Sequence, residues 1–191
     1  MNDCPEDDFE DHDTPRSSVE IAKRAIALHC VIAASHEVSR TDISEWLKSE
    51  NLYDELSPWE RKFMEVEENS LRDIIQATWR VEGQVALLWS IQKIEQMDAL
   101  TGQCNTTPLV DAMPDLFSST SAFVEAAVLK SKEEIHEEYE RIYDIHWKVR
   151  NAKNKGIPIE YNSGVVQERH YAMNWITGYC GQAWDEITTD T

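Results

Sequence analysis

GVVQERHYAMNWITG, residues 164–178, reads as one amphipathic helix closed by a glycine. Val165, Arg169, Ala172 and Ile176 recur at helical spacing, so all four fall on one face. An arginine in the middle of an apolar stripe must find a partner, because an unpaired buried charge is strongly unfavourable. Glu168 flanks Arg169, near Trp175. His170 and Asn174, spaced i, i+4, project on the polar side of the same helix. There they are candidates to touch a ligand or the C-terminal tail, or to form a surface hydrogen bond.

Working outward, the rest of the chain also reads as helices. Ser17 or Ser18 caps a helix to about Val38, with Ile21, Ala25, Leu28 and Ile32 on one face. Thr41 or Asp42 opens a short helix through Trp46. Ser57-Pro58-Trp59-Glu60 is a capping box with proline at the first helical position. Asn69 or Ser70 opens the longest apolar helix, to roughly Met97. A polar connection covers about 101–117. Ser131-Lys-Glu-Glu134 is a second capping box, opening a helix to about Asn154 that Gly156 and Pro158 stop. Only Ile157–Tyr161 alternates like a strand, and no internal repeat is present. The expectation is an all-α, compact domain of six to eight helices over residues 16–191. Residues 1–15, with seven acidic and no basic residues, read as a disordered arm.

Helical projection marks further charges that point inward. In the helix from Leu71, a broad stripe of Ile74, Ile75, Trp79, Val81, Val85, Leu88 and Trp89 faces away from Arg72, Asp73, Gln76, Arg80 and Gln84. Glu82 lies near the centre of the stripe, and a buried carboxylate must be paired, hydrogen-bonded or protonated. In the helix from Ser131, His146 falls among Ile135, Tyr139, Ile142, Ile145 and Val149, with Arg150 beside it. Glu82, His146, Arg150, Glu168 and Arg169 are therefore expected to meet in one interior network, with Glu82–Arg169 the first pair. Two readings stand: an ion-pair cluster that sets helix packing, or the floor of a pocket with His146 or Glu82 as acid or base.

Catalytic templates are absent. There is no GxSxG elbow, glycine-rich phosphate loop or HExxH. Glu133-x-x-His136 matches half of a di-iron motif without its second half, and Glu140 one turn on permits at most a surface metal contact. The expectation is no metal and no cofactor. Cys4, Cys30, Cys104 and Cys180 are scattered without a CxxC, as free thiols of a cytoplasmic protein would be. The Asn105-Thr-Thr sequon is then accidental. Neither a signal peptide nor an 18-residue apolar span is visible. In the tail, Trp184 and Ile187 are spaced to dock against the body.

Charge narrows the partners. Eighteen Lys and Arg against 36 Asp and Glu give a net −18, and the body alone carries −11. Nucleic acid and anionic membranes are repelled by such a chain, whereas a basic protein is steered towards it. Oligomeric state is left open.

The combination of Trp79-Arg-Val-Glu82, Val85-Ala-Leu-Leu-Trp89, His146-Trp147 with Arg150, Glu168-Arg169-His170-Tyr-Ala172-Met-Asn174-Trp175, Trp184-Asp185 and Asp190-Thr191 resembles the bacterial domain of unknown function 4272, over about residues 18–191. Tyr143-Asp144 departs from the family's tendency to a small or charged residue there. The resemblance implies a predominantly helical domain and brings no activity, cofactor or catalytic residue with it. Two classes of function follow from the residues. One is a binding or regulatory module with an acidic surface for a protein partner, on a patch including Trp46, Trp59 or Phe63. The other is a small enzyme with a polar pocket of Glu82, His146, Arg150 and Arg169.

Overall fold

Serines at the helix entrances set the frame. Ser17, Ser57 and Ser131 each accept a hydrogen bond from the amide three residues on, while Glu20, Glu60 and Glu134 reach back to the capping amide. Each box satisfies two of the donors that a helix start leaves open. In a computed structural model describing residues 14–190, the chain forms α1 (Ser18–Ser35), α2 (Arg40–Ser49), α3 (Pro58–Glu65), α4 (Leu71–Ser90), α5 (Thr107–Ala112), α6 (Ser121–Glu125), α7 (Lys132–Lys155) and α8 (Ser163–Thr177). Ser39, Ser70 and Asn162 cap α2, α4 and α8. Among the described residues there is no strand, and the protein is all-α and compact.

α4 runs through the middle, packed by α1 on one side and α8 on the other, and α7 covers the far side of α8. That layering explains why the single-stripe projection of these two helices fails. A helix between two neighbours has two buried faces, so Arg80, Gln84, His170 and Asn174, all read as polar-side residues, are buried instead. Ile75, read as core, is exposed.

Three boundaries differ from expectation. α4 stops at Ser90 rather than near Met97, because the Ser90 carbonyl accepts the Lys130 amide at 2.9 Å and Gln92 turns to φ 57°. α1 ends before Val38, where Glu37 adopts φ 69°. Residues 157–161 form no strand; they are a largely exposed exit from α7 whose Ile157 amide closes on the Ala152 carbonyl at 2.9 Å.

At its C-terminal end α8 is pinned by both chain termini. Arg16 gives its amide to Ile176 O and its guanidinium to the carbonyls of Trp175 and Gln182. Gly178 turns the chain at φ 81°, and a Cβ there would lie 2.7 Å from the Thr14 carbonyl oxygen. No other residue type fits both constraints. Of the disordered arm expected over residues 1–15, residues 1–13 lie outside the described residues, while Thr14 is packed against Gly178.

Trp184 and Ile187 are buried, so the tail is docked. Trp46 and Phe63 belong to the core, and Trp59 stacks on Phe63 at 5.5 Å. The exposed patch expected around them is therefore not formed. Cys30 and Cys104 are free and buried. Cys180 is disulfide-bonded, contrary to the reading of all four as free thiols, and this withdraws the thiol argument for a reducing compartment.

Candidate functional site

The residues singled out from helical phase separate into three groups along α8. The first is Arg169 with Glu82, both 0% exposed. Arg169 Nε and Nη2 donate to Glu82 Oε2 at 3.2 and 3.0 Å, and Nη1 donates to the Asp98 carbonyl. Glu82 Oε1 accepts the Cys104 amide at 2.8 Å. Each charge is thus met by the opposite charge and by backbone, as burial demands. The pair ties α4 and α8 to the irregular segment between Ser90 and Thr107, which the Leu100 carbonyl also anchors through the Asn162 amide. Burial and the neighbouring Glu82 carboxylate push the Cys104 thiol up to about 12, leaving it inert.

One residue back along α8, Glu168 pairs with Arg80 at 3.1 Å, not with Arg169. Burial opposes the Arg80 charge, but Glu168, Tyr171 and Glu60 together outweigh it and raise its pKa. Glu168 is itself raised by burial, with Arg80 pulling it back. Beside this pair lies one that sequence reasoning missed: Arg24 and Glu60, both buried, at 2.5 Å. The signal for Arg24 was present, since it stands between Ile21 and Leu28 on the stripe of α1. Glu60 was read only as a capping residue. Its Oε2 serves both the Ser57 amide and Arg24.

The third group lies between α7 and α8. His146 Nδ1 and His170 Nδ1 are 2.7 Å apart, with both side chains buried. Tyr139 and Tyr143 cover the His170 ring. Asn174 Nδ2 donates to the Thr188 carbonyl at 2.7 Å. Arg150 is exposed and reaches the Thr189 carbonyl at 3.5 Å. An open cleft of about 350 Å³ is lined by His146, Arg150, Lys153, Asn154, Gln167 and Thr189. Glu82 and Arg169 do not line it. The expected single network is therefore three, because α8 presents residues 168, 169 and 170 in three directions 100° apart.

Burial, then the neighbouring Arg150, lowers the His146 pKa; burial, then His146, lowers His170 to about 3. His29 is lowered by burial alone. These groups hold protons less readily folded than unfolded, so the stability they contribute is full above about pH 6.5 and falls as pH drops. Glu168, with its raised pKa, has the opposite sign, and Glu20, Glu50, Asp73 and Glu134, all lowered, act below about pH 4.5. Chemical denaturation from pH 7 to 5 should show falling stability. His170→Asn should flatten that slope by up to about 1.4 kcal/mol per pH unit. An undiminished slope would mean that His170 is protonated in the fold.

Among the described residues no three His, Cys, Asp or Glu side chains are grouped to hold a metal ion, Glu133, His136 and Glu140 included. No helix among them is long and apolar enough to cross a membrane.

Stacked helices joined by buried ion pairs define a helical protein. The chain belongs to the family described as domain of unknown function 4272, whose sequence model matches residues 4–187. The match starts within the acidic arm, which the resemblance alone had placed outside the family. No curated protein and no solved structure matches the chain.

Proposed function

We propose that the protein is a binding module whose acidic exterior receives a basic protein partner, while the interior ion pairs hold residues 16–191 together as one domain. The observation that carries this reading is a ridge on α7. Glu133, Glu137, Glu140 and Asp144 follow one another at four, three and four residues, and Trp147 completes the row. All five are exposed, Trp147 at 51%. None of the four carboxylates forms an ion pair among the described residues. Like charges at helical spacing destabilise a helix by about 0.2–0.5 kcal/mol per pair, so the ridge works against folding. A cationic partner offsets that repulsion, and the indole supplies an aromatic anchor at its end. The runner-up enzyme pocket is not favoured, since its Glu82 and Arg169 are sealed.

The test is a double charge reversal, Glu137→Lys with Glu140→Lys. Partners crosslinked to the native protein in cells should be basic and should dissociate with added salt, and the variant should lose them. Its thermal stability should rise slightly, which separates lost binding from misfolding. Retention of the same partners by the variant, or capture of acidic ones only, rejects the ridge as the docking face.

A further inference from the structure

The chain has four cysteines, Cys4, Cys30, Cys104 and Cys180, and they are of two kinds. Cys30 and Cys104 are free and buried, one on α1 and the other beside Glu82. Burial pushes the Cys104 thiol up to about 12 and raises the Cys30 thiol as well, so neither supplies the thiolate that disulfide exchange requires. Cys180 is disulfide-bonded. Within the chain, Cys4 is then the one cysteine left to complete that bond.

Cys4 lies outside the described residues, and the place where the described chain begins points to it independently. The Arg16 amide meets the Ile176 carbonyl at 2.9 Å, and its guanidinium reaches the carbonyls of Trp175 and Gln182 at 2.9 and 2.8 Å. Thr14 packs on Gly178, so the arm leaves the body against the turn that carries Cys180. Ten residues lie along the chain from Thr14 back to Cys4. That length reaches at most roughly 35 Å, ample to return to a site where bonded Cα atoms stand about 5.5–6 Å apart. The turn itself is unusual. Gly178, Cys180 and Gly181 have φ of 81°, 51° and 62°. Glycine adopts that backbone freely and cysteine does not, so surrounding bonds must hold Cys180 in it. Cys180 is half-buried next to exposed Gly181, within reach of reagents in solution. The family's sequence model also begins its match at residue 4.

We propose that Cys180 is bonded to Cys4 and that this bond is a redox clasp, closing the acidic arm onto the C-terminal end of α8 and released by small thiols. Release takes two electrons. Two low-molecular-weight thiols are oxidised to one disulfide, and their hydrogens pass to the Cys4 and Cys180 sulfurs. A small disulfide drives the reverse. Between Cys4 and Thr14 the chain carries Glu6, Asp7, Asp8, Glu10, Asp11 and Asp13. Bringing those carboxylates into one closed loop sets like charges against each other and favours the open dithiol. The clasp is therefore easier to reduce than an uncharged one, and harder to reduce as salt screens the loop.

Alkylation in denaturant followed by non-reducing peptide mapping tests the assignment. After equilibration with glutathione disulfide, Cys30 and Cys104 should be alkylated, and Cys4 and Cys180 should appear in one linked pair of peptides. Dithiothreitol should free all four and lower Tm by about 5–10 °C. The bond closes nearly the whole chain when unfolded but only the short arm when folded, and its effect is the difference between those two loops. Cys4→Ser should melt where the reduced protein melts, with or without reductant. Its substitution lies outside the packed helices, so it reads the bond even where Cys180→Ser disturbs the turn. Half reduction should need a severalfold higher ratio of reduced to oxidised dithiothreitol in high salt than in low. Four alkylated cysteines after the disulfide treatment, or Cys180 linked to a second copy or to another cysteine, overturns the pairing. A linked protein whose Tm ignores reductant, or whose half-reduction ratio ignores salt, overturns the clasp.

Discussion

Replacing Arg169 with Met is expected to destabilise the protein by about 3–5 kcal/mol, because it leaves Glu82 charged and buried without its partner. For a domain of this size that is roughly 10 °C in Tm. Both side chains are 0% exposed, so no water reaches in to replace the guanidinium. Glu82→Gln should cost less than Arg169→Met, since an amide oxygen still accepts the Cys104 amide now held by Oε1. The double variant should lose clearly less than the two single losses together, for each removes what the other leaves stranded. Strictly additive losses would show that the two charges do not depend on each other. A local signature accompanies the global one. The segment from Ser90 to Thr107 hangs on this pair through Asp98 and Cys104, so the Cys104 amide should exchange much faster in Arg169→Met.

Helix-entrance chemistry was legible because it is local. Ser17, Ser57 and Ser131 and their glutamates are three residues apart in sequence and bond to one another whatever the rest of the chain does. Gly178 and Gly156 are legible for the same reason, since each ends its helix in the left-handed conformation. Arg169 was legible as a buried charge from its phase alone, and Glu82 from its own. Which charge meets which was not legible in full, because it depends on how two helices are rotated against each other. Glu168 turns to Arg80, a residue that single-stripe projection had sent to solvent. His170 and Asn174 were lost to the same assumption, yet His170 meets His146 and Asn174 holds the tail at Thr188.

Position explains the remaining misreadings. The connection after α4 is polar in sequence, but the Lys130 amide on the Ser90 carbonyl comes from forty residues away and ends the helix before its apolar pattern does. Trp46 and Phe63, read as surface aromatics on short helices, are covered by chain that is distant in sequence; Trp46 Nε1 donates to the Ser118 carbonyl at 2.9 Å. Exposure on α7 was readable in principle, since Glu133, Glu137, Glu140, Asp144 and Trp147 share one phase opposite the Ile135–Val149 stripe. In sequence the same stretch also carries the incomplete metal motif Glu133-x-x-His136, which competes with that reading of the row.

Trp184→Ala is the second substitution with a large expected effect, about 3–5 kcal/mol and again near 10 °C in Tm. The indole is 5% exposed and meets Tyr171 and Trp175 edge to face at 5.2 and 5.4 Å. Arg24 and Arg80, one from each of the buried pairs with Glu60 and Glu168, hold their guanidinium carbons 5.0 and 5.9 Å from its centre. Removing it therefore opens a cavity and wets two interior ion pairs together. Deleting residues 183–191 should cost at least as much. It also takes away the Asp185 carboxylate that accepts the Trp59 amide at 2.8 Å, at the N-terminus of α3 where a negative charge is favoured. Trp184→Phe should retain most of the stability, because a smaller ring still fills much of the site. An unchanged melting temperature on deletion would mean that the tail does not hold the fold.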